Sequence, residues 1–63
     1  MKSKWRVEEA MIAGIPHYTV YRLIDISGPN KMGNKEVRGG CWKTRKEAER
    51  LAQNLNKEEG WND

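Results

Sequence analysis

The chain has one cysteine and one histidine among its 63 residues, and it has no phenylalanine. A lone cysteine cannot form an intramolecular disulfide, and with a single histidine it cannot complete a zinc site, which needs four ligands. No loop has the alternating acidic spacing of an EF-hand, so we expect no metal and no cofactor. No apolar run approaches the ~20 residues of a membrane span, and residues 1–15 lack the pattern of a signal peptide. We therefore expect a soluble, cytoplasmic protein.

The short length allows one domain, which buries only about 60% of its unfolded surface. Its net charge of +3 is unevenly spread: the segment from Arg22 to Lys46 has seven basic residues against two acidic ones, and the last six residues have no base. This distribution permits duplex DNA or an acidic protein as a partner, while a solvated, lysine-rich surface is the plainer alternative. We expect a monomer, with a homodimer as the alternative, and no membrane partner.

Alternation of apolar and polar residues predicts three strands. The second is the strongest, because Tyr18 to Ile24 is rich in β-branched and aromatic residues, but both of its faces are partly apolar. The turn at 13–16 makes it an antiparallel partner of the first strand, and Gly39-Gly40 in the third indicates a bulge or a close backbone approach. Residues 1–3 are expected to be frayed. The predicted strands cover residues 4–12, 17–25 and 35–42.

The C-terminal part of the chain predicts a helix over residues 45–57. Thr44 is its N-cap, and Glu47, three residues on, completes a capping box. One apolar stripe then follows at helical spacing: Ala48, Leu51, Ala52 and Leu55. The β-β-β-α order predicts an α+β fold, in which a three-stranded antiparallel sheet has one C-terminal helix packed on one face.

None of the motifs in the chain forms a catalytic constellation. The glycine-rich segment 28–33 lacks both the lysine and the helix that a phosphate loop needs. Cys41 and His17 could form a nucleophile–base pair, but no third group orients them, and a core thiol and a turn histidine are the commoner roles. Glu8 and Glu9 are adjacent, so on a strand they point to opposite faces and cannot act as a paired acid and base. We expect a protein that is not an enzyme.

A sheet with a helix on one face leaves its other face open, and we consider this open face the candidate binding site. If Tyr21 and Leu23 point away from the helix, then Arg6, Arg38 and Trp42 can share that face with Tyr21. Guanidinium groups beside aromatic rings suit contacts with phosphates and bases. We therefore expect a small, non-catalytic accessory domain that binds nucleic acid through this open face. In one alternative, long arginine side chains simply cover the outer face. In another, the domain is a protein-interaction or adaptor module that uses a sheet edge or exposed aromatics.

The segment Gly39–Ala48 (GGCWKTRKEA) resembles the strand-to-helix junction of the arm-binding N-terminal domain of phage and transposon integrases, which is similar in turn to the plant ethylene-response DNA-binding domain. In those families an aromatic residue ends the third strand, Thr-x-x-Glu-Ala opens the helix, and the β-β-β-α order is the same. They present the sheet to the DNA major groove, so the resemblance implies Arg6, Arg22 and Arg38 as contacts with duplex DNA. The second strand and the final helix also resemble those of short bacterial proteins, a likeness that implies no function.

Overall fold

The computed structural model describes residues 1–61 of the chain. Three strands form one antiparallel sheet in the order β1-β2-β3, and α1 contacts all three. This arrangement confirms the predicted α+β fold class. The elements are β1 (Arg6–Ile12), β2 (Ile15–Leu23), a single 3₁₀ turn (Met32–Asn34), β3 (Lys35–Trp42) and α1 (Arg45–Glu58).

The hairpin between β1 and β2 closes through two residues, not through the four expected. Ala13 and Gly14 have φ values of 53° and 80°, which define a type I′ turn, and Ile12 pairs directly with Ile15. The twist of this turn matches the twist of the strands, so pairing continues to the end of the hairpin. Pro16 lies inside β2, where β3 no longer runs alongside, so its missing amide costs no bond to β3.

The glycine pair in β3 forms the predicted bulge. Val20 pairs with Arg38 and Thr19 pairs with Cys41, which leaves Gly39 and Gly40 without partners in β2. Both glycines have positive φ. Because the bulge inserts two residues, which is one full period of a strand, the alternation of side chains between the two faces of the sheet is the same before and after it.

The core lies between α1 and one face of the sheet. Trp5, Val20, Ala48, Ala52 and Leu55 are buried together there. Val20 therefore places its own face of β2 against the helix, while the alternate residues of β2 point away. The small side chains of the two alanines let the helix approach the sheet closely. This packing decides which face of β2 meets α1, a question that the hydrophobic pattern left open.

Both ends of α1 are capped by local contacts. The Thr44 hydroxyl accepts a hydrogen bond from the Glu47 amide at 3.3 Å, which confirms the predicted N-cap. At the other end Gly60 has φ 84°, its N–H donates to the Lys57 carbonyl, and the Trp61 N–H donates to the Asn56 carbonyl at 2.8 Å. This pair of bonds is a Schellman motif. Within residues 1–61 no helix is long and apolar enough to cross a bilayer.

The N-terminal residues are hydrogen-bonded to the end of β2 and to the segment that follows it, so the expectation that they fray is wrong. Ser3 is fully buried, its N–H donates to the Leu23 carbonyl at 3.0 Å, and its hydroxyl accepts from the Leu23 amide at 2.8 Å. The Met1 carbonyl accepts from the Ile26 amide at 2.7 Å. These bonds extend the line of β1 along β2 and bring Trp5 into the core.

Candidate functional site

The five residues predicted as nucleic-acid contacts are divided between the two faces of the sheet. Arg6 and Tyr21 are register partners and lie on the open face, away from α1. The other three residues lie on the side of the sheet that faces α1: Arg22, Arg38 and Trp42. The residues that they pair with, or the next residues on the same side of their strand, pack in the core or against it. The structure therefore does not bring these five residues together, although Tyr21 does point away from the helix as the grouping required.

Arg22 lies at the centre of a cluster of ion pairs and is only 8% exposed. Its Nε donates to Glu36 Oε1 at 2.8 Å, and its Nη1 donates to both carboxylate oxygens of Glu59 at 2.9 Å. The hydrogen bond with Glu36 is the main cause of a raised pKa at Arg22 and of a lowered pKa at Glu36. The charge of Arg22 is thus paired within the domain, where it links the sheet to the end of α1.

Trp5 is the apolar centre of the same cluster. The guanidinium carbons of Arg22 and Arg38 lie 4.4 and 5.1 Å from its ring centroid. Its indole N–H donates to Glu59 at 3.2 Å, and this bond is the main cause of a lowered pKa at Glu59. Arg38 also lies 3.7 Å from a Glu36 oxygen, so it too is engaged within the domain.

Asn56 joins this cluster in a way that sequence reasoning missed. Its Oδ1 accepts from the Trp5 backbone amide at 2.6 Å, and its Nδ2 donates to the Trp5 carbonyl at 3.1 Å. The amide side chain of a helix residue therefore occupies the place of a neighbouring strand. The two residues are 51 positions apart, and no local pattern marks an asparagine in the last turns of a helix for this role.

Long side chains cover the part of the open face around Tyr21. Lys35 donates to both Glu8 oxygens, at 2.9 and 3.0 Å, in a salt bridge that spans from β3 to β1 across β2. The Lys35 nitrogen lies 4.9 Å from the Tyr21 ring centroid, and Tyr21 is only 7% exposed. Tyr21 is therefore not available for stacking on a base. Among the described residues, the strand cation on this face that has no carboxylate partner is Arg6.

The remainder of the open face is mainly apolar. Ile12 and Ile15 pair across the end of the hairpin and are 49% and 59% exposed. Val37, opposite Tyr21, is 46% exposed, and the Cys41 thiol is exposed beside Thr19. Such an arrangement can bury apolar area against another surface, and it offers few charges to a polyanion.

Comparison of the chain with protein-family models, with curated proteins and with solved structures finds no match. The resemblance of Gly39–Ala48 to integrase arm-binding domains therefore stays a prediction. Within residues 1–61 no group of three or more His, Cys, Asp or Glu side chains could hold a metal ion.

Proposed function

We propose that this domain is a non-catalytic protein-interaction module that binds an acidic partner protein through its open face. The observation that carries the proposal is the exposure of Ile12, Ile15 and Val37 on the one face of the sheet that α1 leaves uncovered. Burial of apolar area drives most protein association, at about 25 cal/mol per Å² removed from water. An apolar centre with a polar rim is the usual anatomy of such an interface.

The charge of the open face favours an acidic partner. Among its strand residues, Glu8 and Lys35 neutralise each other, while Arg6 is exposed and has no carboxylate partner within residues 1–61. The chain as a whole carries a net charge of +3. A carboxylate on the partner would complement Arg6 at the rim, where charge contributes mainly to the association rate and to specificity.

A pull-down of proteins from a lysate of the native host, followed by titration of any captured partner, tests this proposal. The wild-type domain, an open-face variant (Ile12→Ser with Val37→Ser) and a control on the far side of the molecule (Lys46→Gln with Arg50→Gln) serve as baits. All four positions are exposed, so the substitutions should have little effect on folding. A protein retained by the wild type and the control but not by the open-face variant is then purified and titrated against all three.

We expect that partner to be acidic and to lose at least about tenfold in affinity for the open-face variant, equivalent to about 1.4 kcal/mol. Equal affinity for the wild type and the open-face variant, or no protein that distinguishes the baits, would refute the proposal. Sedimentation of the free domain tests whether a second copy of the chain occupies the open face instead. Self-association that disappears in the open-face variant would make a second copy of the chain the occupant of this face.

Nucleic-acid binding is a second candidate function, and it agrees with the integrase resemblance. The observation that favours it is a set of exposed cations that have no carboxylate partner within residues 1–61. Binding should weaken steeply between about 50 and 200 mM salt, because neutralised phosphates release counterions. Absence of binding to labelled duplex DNA near 50 mM salt, at roughly 100 μM protein, would remove this candidate. The exposed cations that have no carboxylate partner within residues 1–61 are Arg6, Lys31, Lys43, Arg45, Lys46, Arg50 and Lys57.

A further inference from the structure

The side of α1 that faces solvent carries a row of four polar residues, three of which are basic. Lys46, Arg50, Gln53 and Lys57 follow one another at intervals of four, three and four positions, which aligns them along one side of a helix. All four are exposed, and they lie opposite the buried alanines and leucine of the core stripe. We call these four residues the outer stripe.

The outer stripe holds three positive charges and no carboxylate. Its cations take part in no ion pair within residues 1–61, unlike Arg22, Lys35 and Arg38. At a rise of 1.5 Å per residue, the first and last positions of the stripe are about 16 Å apart along the helix axis. The acidic residues of α1 lie on the flanks of the helix, between the outer stripe and the sheet.

The open face and the outer stripe therefore differ in what they can bind. Within residues 1–61 the strands of the open face supply a single cation without a carboxylate partner, Arg6, whereas the outer stripe supplies three in a straight row. Each neutralised phosphate contributes to the binding of a polyanion. Of the seven exposed cations without a carboxylate partner within residues 1–61, the outer stripe thus holds three in one row, on the side of α1 that faces away from the sheet.

From this charge complementarity we infer that the outer stripe, and not the open face, is the nucleic-acid contact, and that its ligand is the phosphodiester backbone of a duplex. The inference rests on the second candidate function and names its surface and ligand class. A B-form duplex presents a phosphate on each strand about every 3.4 Å of its axis, so a rigid row about 16 Å long can meet several phosphates at once. Lysine and arginine contacts to phosphates carry no sequence information, so binding is sequence-independent.

A single strand fits the outer stripe less well than a duplex. Proteins that hold single strands stack bases on exposed aromatic rings, and the outer stripe has no aromatic residue. Trp5 and Tyr21, which could have served that role elsewhere, are buried. A rigid duplex also loses less conformational freedom than a flexible strand when it meets a rigid helix.

Salt-dependent titration of two matched triple variants tests the inference. The stripe variant is Lys46→Gln, Arg50→Gln and Lys57→Gln, which removes three charges. The control variant removes the same charge elsewhere, from three exposed cations that also lack a carboxylate partner: Arg6→Gln, Lys31→Gln and Lys43→Gln. Anisotropy of two labelled duplexes of unrelated sequence, and of one single strand, is measured over a series of salt concentrations. Far-UV circular dichroism checks that α1 stays folded in both variants.

For the stripe variant, the slope of log K against log salt should decrease in magnitude by about 2.7, since each lost phosphate contact removes about 0.9. The control variant should change the slope by less than one contact, and the two duplexes should bind equally. Binding that keeps its slope in the stripe variant, or loses as much in the control, would overturn the inference while the second candidate function stands. Equal affinity for the single strand would overturn the ligand class. If the wild type fails to bind duplex at low salt, the second candidate function fails as well.

Discussion

The close approach of α1 to the bulge in β3 can be tested with two neighbouring glycines. Gly39 and Gly40 have φ values of 84° and 71°, a region that disfavours residues with a Cβ. A Cβ added at Gly39 would lie 2.6 Å from Leu51 Cδ2 and 3.3 Å from Trp42 Nε1, whereas nothing lies within 4 Å of one added at Gly40. Gly40→Ala therefore reports the backbone cost alone, and Gly39→Ala reports that cost together with displacement of the helix contact.

The magnitudes follow from these two effects. A left-handed conformation costs a residue with a Cβ about 1–2 kcal/mol. Overpacking adds about 1–3 kcal/mol, and we expect the lower part of that range because Leu51 is only partly buried and the end of its side chain can move. In a domain of this size each 1 kcal/mol lowers the melting temperature by about 4–8 °C. Gly39→Ala should therefore melt at least about 4 °C below Gly40→Ala.

Thermal and urea unfolding, followed by tryptophan fluorescence and far-UV circular dichroism, measure this difference. Leu51→Ala serves as the control, because it removes the atom that the new Cβ would meet. Leu51→Ala is then combined with each of the two glycine variants. It should destabilise Gly39→Ala less than it destabilises Gly40→Ala, and the difference between the two effects should be at least about 0.5 kcal/mol. Equal melting temperatures for Gly39→Ala and Gly40→Ala, with no coupling to Leu51→Ala, would refute the proposed contact between α1 and the bulge.

Two further predictions concern the cluster around Trp5. Asn56→Ala removes both hydrogen bonds to the Trp5 backbone and should cost about 1–3 kcal/mol; a melting temperature equal to that of the wild type would contradict this role. Glu36 and Glu59 have lowered pKa values in the folded domain, so their contribution to stability is complete above their ordinary value of 4.5 and is lost as the pH falls through the lowered values. In Arg22→Met the loss of stability between about pH 5 and pH 3 should be smaller than in the wild type. Urea unfolding midpoints measured across this pH range test the prediction. An equal dependence of the midpoint on pH in the two proteins would contradict it.

Local rules explain the parts of the fold that could be predicted. The cap at Thr44, the apolar stripe of α1 and the bulge at Gly39-Gly40 depend on residues within a few positions of one another. The strand order also followed, because a short turn leaves only one way for β1 to pair with β2. The boundary of β2 was placed two residues late, since Pro16 suggested a turn where the type I′ geometry of Ala13 and Gly14 already closes the hairpin.

The candidate site was predicted less well, because its properties depend on distant partners. Periodicity and contacts between neighbouring residues are enough to specify that this chain forms a small sheet with one capped helix. Which surfaces are free to bind depends on the packing of distant residues. Both faces of β2 are partly apolar, so the alternation alone does not choose between them; the packing of Val20 against α1 does. Arg22 meets a carboxylate 37 positions away, at Glu59, and no rule of spacing connects the two. Which cations have no carboxylate partner within residues 1–61, among them Arg6 and those of the outer stripe, became visible once those long-range pairs were known.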